Sequence, residues 1–247
     1  MNILNLPIEL DDRPLPRRIG LVTLATDHTT EVDFAVLPSR GIAVYATRIP
    51  FANPVTPETL AAMAKDVTAA AALILPGEDL DAVVYSCTSA SVVIGDEAVR
   101  DAIKRGKPGA KAITPISAGF AALRALGAGR ITLMTPYTPL TTAPMAKCFE
   151  AGGFVLQGVS SLNMTDDREM ARISPATIIE AARAALVPGS EAMFIACTAV
   201  RASGVIDRIE EEVGVPVVSA NSATLWAALR ACGDTGAAAP GQLMRLP

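Results

Sequence analysis

Two apolar patterns alternate along this chain. Short runs such as Asp81 to Cys87 (DAVVYSC) and Ala192 to Cys197 (AMFIAC) are continuously apolar, the pattern of parallel strands covered on both faces. Ala-rich stretches of helical length separate them, and strands alternating with helices predict an α/β fold built on parallel sheets. Thr56 and Ser174 each precede a proline. A hydroxyl at the cap and proline at the first helical position predict helices that begin at Pro57 and Pro175. The strings LPGEDL (75–80) and VPGSEA (187–192) lack the glycine spacing of a phosphate loop and read as helix-to-strand turns, so no nucleotide is expected.

The pattern occurs twice. The stretch from Arg18 to Gly127 reappears from Arg130 to Gly233 in three blocks of the same order. RIGLVTLATDHTT matches RITLMTPYTPLTT, displaced by 112 residues, with Thr23 against Thr135. A Thr/Ser-Pro helix start then leads to LPGEDLDAVVYSCTSAS in one copy and VPGSEAMFIACTAVRAS in the other, and the copies close on AALRALG and AALRACG. The duplication predicts two pseudo-twofold-related lobes, each a short parallel sheet flanked by helices, with an active site in the cleft between them. The first lobe is expected over 17–117 with 227–247, and the second over 118–226.

Composition narrows the chemistry. Of 247 residues 51% are apolar, ample for a core, and a formal charge of −4 provides no basic field for nucleic acid or an anionic membrane. The segment from Met1 to Arg18 carries Asp11, Asp12 and three prolines without a long apolar run, so neither a leader nor a span is expected and the protein is predicted to be cytoplasmic. His28 is the only histidine, which excludes multi-histidine metal sites. The four cysteines, Cys87, Cys148, Cys197 and Cys232, form no CxxC pair, so free thiols and no metal are expected.

Cys87 and Cys197 stand at the ends of the two buried strands, where open α/β sheets bind ligands. A helix following each strand would aim the N–H groups of Thr88, Ser89, Thr198 and Ala199 at the same place. Together with the Thr88 and Thr198 hydroxyls these groups can cradle a carboxylate, and a helix N-terminus lowers a thiol from about 8.5. Two such thiols facing across a cleft can remove a proton and return it to the opposite side of a planar intermediate. Cys148 and Cys232 fall in helical patterns and read as packing residues, as do Phe120, Trp226, Met134 and Met193.

The strings SCTSAS and ACTAVR, a cysteine followed by threonine in each half, resemble the aspartate/glutamate racemase superfamily, which includes maleate cis-trans isomerases and arylmalonate decarboxylases. The likeness runs from Arg18 to Gly233. It implies two lobes, a cysteine from each and chemistry without a cofactor. Tyr137 in TPY, and Asn163 in LNMTDDREMARIS, are similar to the tyrosine and asparagine that contact substrate carboxylate in the maleate isomerase branch. Decarboxylases of the group have glycine at the first cysteine position, so Cys87 counts against decarboxylation. LATDHTTE and CTSASVVIGD resemble an ectoine-utilisation racemase-like group.

One departure concerns the first loop. Asp27 stands where the maleate isomerase branch carries an asparagine, and an anion there would favour an ammonium group over a second carboxylate; the plainer reading is a helix cap. His28 reads as a solvated loop residue, and Glu31 as a first-turn charge. Thr165 to Arg172 (TDDREMAR) reads as a solvated helix start, with Arg172 able to steer an acidic substrate. The expected function is a racemase or cis-trans isomerase of a small carboxylate, an amino acid or a dicarboxylate, acting through Cys87 and Cys197. A decarboxylase, or a binding protein that has lost turnover, are the rivals. Expected partners are that substrate and further copies of the chain, in a homo-oligomer.

Overall fold

The computed structural model describes residues 1, 3–35, 41–235 and 239–246. Its strands form two parallel four-stranded sheets. The first holds β1 (Arg17–Leu24), β2 (Ile42–Ile49), β3 (Ala82–Tyr85) and β4 (Lys111–Ile113) in the order β2-β1-β3-β4. The second holds β5 (Arg130–Tyr137), β6 (Val155–Met164), β7 (Ala192–Ile195) and β8 (Val217–Ser219) in the order β6-β5-β7-β8. Between them run α1 (Thr30–Ala35), α2 (Pro57–Ala61), α3 (Val67–Leu73), α4 (Thr88–Ile94), α5 (Asp96–Gly106) and α6 (Pro115–Ala125). The second half continues with α7 (Pro139–Ala151), α8 (Asp167–Met170), α9 (Pro175–Ala185), α10 (Ile206–Val213) and α11 (Ala220–Ala231).

The duplicated sequence is a duplicated structure, with the same strand order in each sheet. β3 and β7 are buried at every residue, which explains their uninterrupted apolar runs, and each such side chain removed from water contributes roughly 1.5–3 kcal/mol. Both sheets start with the same device. The Asp81 carboxylate accepts the Arg18 amide at 2.7 Å, and the Glu191 carboxylate, in the corresponding place, accepts the Arg130 amide at 2.9 Å. Thr56 and Ser174 cap α2 and α9 as expected, with prolines at the first helical turn. Capping boxes at Thr114 and Ser219 start α6 and α11 in the same manner.

These last two helices interlock the halves. α6 leaves the first sheet and lies against the second: a Cβ on Gly119 would come within 2.6 Å of the Phe194 ring on β7, so only glycine permits this approach. Phe120, next to it, packs edge-on to Phe149 with centroids 5.1 Å apart, and Phe149 stacks against Phe194 at 4.9 Å. α11 leaves the second sheet and packs on β3 and β4 of the first. The inner strands continue differently from the expectation. The apolar blocks predict a helix directly after each inner strand, and α4 does begin at Thr88, but β7 runs into a turn and the next α-helix begins only at Ile206. Among the described residues no helix is long and apolar enough to cross a membrane.

Candidate active site

The inner strands end in register with their neighbours, Tyr85 opposite Val22 and Ile195 opposite Met134. Two residues further on, Cys87 and Cys197 enter a common cavity. Leu24, Phe51, Val55 and Leu60 give it an apolar wall. Its polar lining comes from Asp27, Ser89, Tyr137, Asp167 and Thr198, with Ala199 beside them. Among the described residues no lysine, arginine or histidine lines it.

The two thiols are held differently. Cys87 has an extended backbone, φ −151°, and occupies the cap position of α4. The Ala90 amide and the Ser89 hydroxyl favour its ionised form, with Ser89 Oγ 3.7 Å from the sulfur. Cys197 adopts the left-handed conformation, φ +84°, which costs a non-glycine residue on the order of 1–3 kcal/mol and marks a position that the surroundings enforce. Its turn is clamped from outside. Asn221 Nδ2 on α11 donates to the Thr198 carbonyl at 2.9 Å, and the Thr29 hydroxyl from the first half donates to the Ala199 carbonyl at 2.9 Å. Thus fixed, the Ala199 and Val200 amides and the Tyr137 hydroxyl all stabilise a Cys197 thiolate.

Burial nevertheless dominates both groups. Removal from water pushes Cys87 up to about 12 and Cys197 up to about 11, so the expected lowering by a helix N-terminus is overturned. Desolvation also raises Tyr137 well above its ordinary value, which keeps it a donor. Asp167 adds to the thiol shifts, since its charge raises both sulfurs. In the protein by itself both thiols are therefore neutral at pH 7. Moving Cys87 from about 9 to about 12 corresponds to roughly 4 kcal/mol of additional ionisation cost. Cys197, with three donors, is the easier to ionise.

Seven of the sequence-selected residues meet at this cavity: Asp27, Cys87, Ser89, Tyr137, Cys197, Thr198 and Ala199. Thr198 also ties the halves together, its hydroxyl donating to the Ser86 carbonyl at 3.1 Å. Asp27 acts as the plainer reading expects, as a cap. Its Oδ1 accepts the Thr29 and Thr30 amides at 2.7 and 2.9 Å, and Oδ2 accepts the Thr30 hydroxyl at 2.6 Å, which starts α1. His28 is exposed, and Glu31 pairs with Arg48.

Two of the expected residues, Thr88 and Asn163, are not on the cavity wall. Thr88 is fully buried and off the cavity wall, because the first residue of α4 turns into the packing; its hydroxyl finds no partner among the described residues. Asn163 lies near the end of the outer strand β6, exposed and with a left-handed backbone, φ +56°, and is not among the residues on the cavity wall. The 165–172 stretch is not simply solvated either. Asp167 is only 6% exposed and lines the cavity, and Met170 is fully buried. Arg172 is exposed and lies against Leu162 and Ser174, away from the thiols.

The sequence reading missed Asp167, Asn53 and the apolar wall. Asn53 Nδ2 donates to Asp167 Oδ1 at 2.7 Å and its Oδ1 accepts the Asp167 amide at 3.0 Å, while the Thr26 hydroxyl bonds to Asp167 Oδ2. A signal existed. Strands β2 and β6 flank β1 and β5 in equivalent places, so the loops after them, carrying Phe51 to Val55 and Asp166 to Met170, also reach the ligand end of the sheets. Among the described residues no group of three His, Cys, Asp or Glu side chains is placed to hold a metal ion.

A family model described as arylmalonate decarboxylase matches residues 35–244. The chain belongs to the arylmalonate decarboxylase family. Within it, the chain is 30% identical to a maleate isomerase of Nocardia farcinica over 239 residues, covering 91% of this chain and 93% of that protein. It is 33% identical to the arylmalonate decarboxylase of Bordetella bronchiseptica over 121 residues, 48% of this chain and 50% of that one. A solved cysteine-to-serine mutant of the Nocardia isomerase, with a covalently bound succinylcysteine intermediate, superimposes with a TM-score of 0.85 at 26% identity, covering 93% of this chain and 98% of that one. Isomerases and decarboxylases thus both stand among the relatives of this chain, and solved structures of both kinds superimpose on it.

Proposed function

We propose that this chain is a cofactor-independent isomerase of a small carboxylate, a racemase or a cis-trans isomerase, in which Cys87 and Cys197 carry the chemistry. The observation behind this reading is that both thiols, from equivalent strand ends of the two halves, line one cavity. A decarboxylase needs one proton donor, whereas inversion at carbon needs two, one for each face.

In racemisation, one thiolate takes the proton next to the carboxylate, the electron pair spreads into the carboxylate as an enediolate, and the other thiol returns a proton to the opposite face. The sulfurs end with their charges exchanged. In cis-trans isomerisation, the Cys87 thiolate adds to one carbon of the double bond while the Cys197 thiol protonates the other; rotation follows about the resulting single bond, and removal of that proton by the Cys197 thiolate expels Cys87 as thiolate and restores the double bond. For racemisation, the Tyr137 hydroxyl and the Ala199 and Val200 amides around Cys197 suit it as the proton acceptor. The Ala199 amide with the Tyr137, Ser89 and Thr198 hydroxyls are the donors available to the substrate carboxylate.

Incubation of the protein with a panel of small acids in heavy water, followed by NMR, tests this reading. Deuterium at the α-carbon marks racemisation, and a changed double-bond geometry marks cis-trans isomerisation. Release of carbon dioxide with neither change would replace the proposal with decarboxylation, the reading that the Bordetella relative favours.

A further inference from the structure

The cavity holds a buried carboxylate with no basic side chain on its wall. Asp167 is 6% exposed, yet its oxygens meet only neutral donors, the Asn53 amide and the Thr26 hydroxyl, and it forms no ion pair with a described residue. Buried carboxylates are normally paired, because an isolated charge away from water is costly. Thr26, the residue beside Asp27, donates to Asp167, and both aspartates line the cavity. Neither is exhausted as an acceptor: each Asp167 oxygen, and Asp27 Oδ2, takes one hydrogen bond where it can take two. No cation among the described residues lines the wall.

We propose that Asp167, with Asp27, determines specificity by receiving a cationic group of the substrate, so that the acid handled here carries an ammonium or similar cation a few bonds from its carboxylate. This rests on the function proposed above and names its substrate class. The same cation would serve the chemistry. Asp167 opposes ionisation of both thiols in the protein by itself, and a bound ammonium cancels that field only when the substrate is in place. A dianion would meet two carboxylates and two thiols at once, and would be refused.

The test uses length-matched probes in which an ammonium replaces a carboxylate: β-alanine against succinate, and 4-aminobutyrate against glutarate. Binding is measured by titration calorimetry on the wild-type protein, on Asp167→Asn and on Asp27→Asn, with thermal unfolding as a check on folding. The wild type should bind each amino acid at least about tenfold more tightly than its dicarboxylate partner, and Asp167→Asn should erase most of that ratio. Asp27→Asn keeps the cap, so it supplies the same reading if the first variant fails to fold. Equal or reversed preference in the wild type, no binding of either probe included, overturns the proposal, as does a ratio that neither variant changes. Binding needs no turnover, so a charge preference without any isomerisation would sink the two-thiol reading alone, and turnover of dianions would sink only this one.

Discussion

The two halves share a strand order, a strand-entry carboxylate and a capping box, yet they present their cysteines on different backbones. Cys87 is extended and followed at once by a helix; Cys197 is left-handed and followed by a turn that Asn221 and Thr29 hold from outside. The difference shows where the duplication was free to diverge. Strands and helices bury apolar surface and stay alike, while the strand ends, which pack against the other half, adopt separate conformations. Two like thiols thereby become unlike acids.

The largest way to sharpen this contrast is at Tyr137. Its hydroxyl supports a Cys197 thiolate, whereas the Ser89 hydroxyl is Cys87's side-chain donor. Tyr137→Phe should cost about a hundredfold or more in kcat. Ser89→Ala should cost less, because 3.7 Å is a weak contact. Equal losses in the two variants would remove the asymmetry.

Alkylation follows the order of ionisation directly. Burial raises both thiols, so each is protected below its own value and reacts as pH rises through it, Cys197 near about 11 and Cys87 near about 12. Mass spectrometry of iodoacetamide-treated, ligand-free protein should find Cys197 labelled at the lower pH; the reverse order would contradict the donor count. The sign for stability is the opposite of a gain. Above about 9 an unfolded chain ionises these thiols while the fold keeps them neutral, so the unfolding midpoint should fall with alkaline pH.

Smaller effects test the clamp and the cap. Asn221→Ala removes the donor to the Thr198 carbonyl and should lower stability by about 1–2 kcal/mol, with a fall in kcat rather than a rise in KM. Asp27→Ala should cost about 1 kcal/mol through the cap, and Asp27→Asn only a few tenths. If Asn221→Ala left kcat intact, the left-handed turn would not depend on the clamp.

Periodicity made the inner strands, the caps at Thr56 and Ser174 and the repeat legible, because each is a local pattern. The cysteine pair was legible because duplication singles out what both copies keep. Asp167 was not: in TDDREMAR an aspartate at a helix start looks like any solvated charge, and its partners Asn53 and Thr26 lie 114 and 141 residues away. The exposed, left-handed position of Asn163 was not legible either, since a motif fixes neighbourhood but not backbone conformation. The thiol shifts were misjudged because a helix dipole is read from sequence and desolvation is not.

The most direct test of the two-thiol account is the rate of isomer interconversion, in both directions, for Cys87→Ser and Cys197→Ser beside the wild type, with Cys148→Ser and Cys232→Ser as controls. The account predicts that each cavity variant folds normally and loses about a thousandfold or more in both directions, while the controls stay near wild type. Retention of interconversion within about tenfold by either single cavity variant would contradict it.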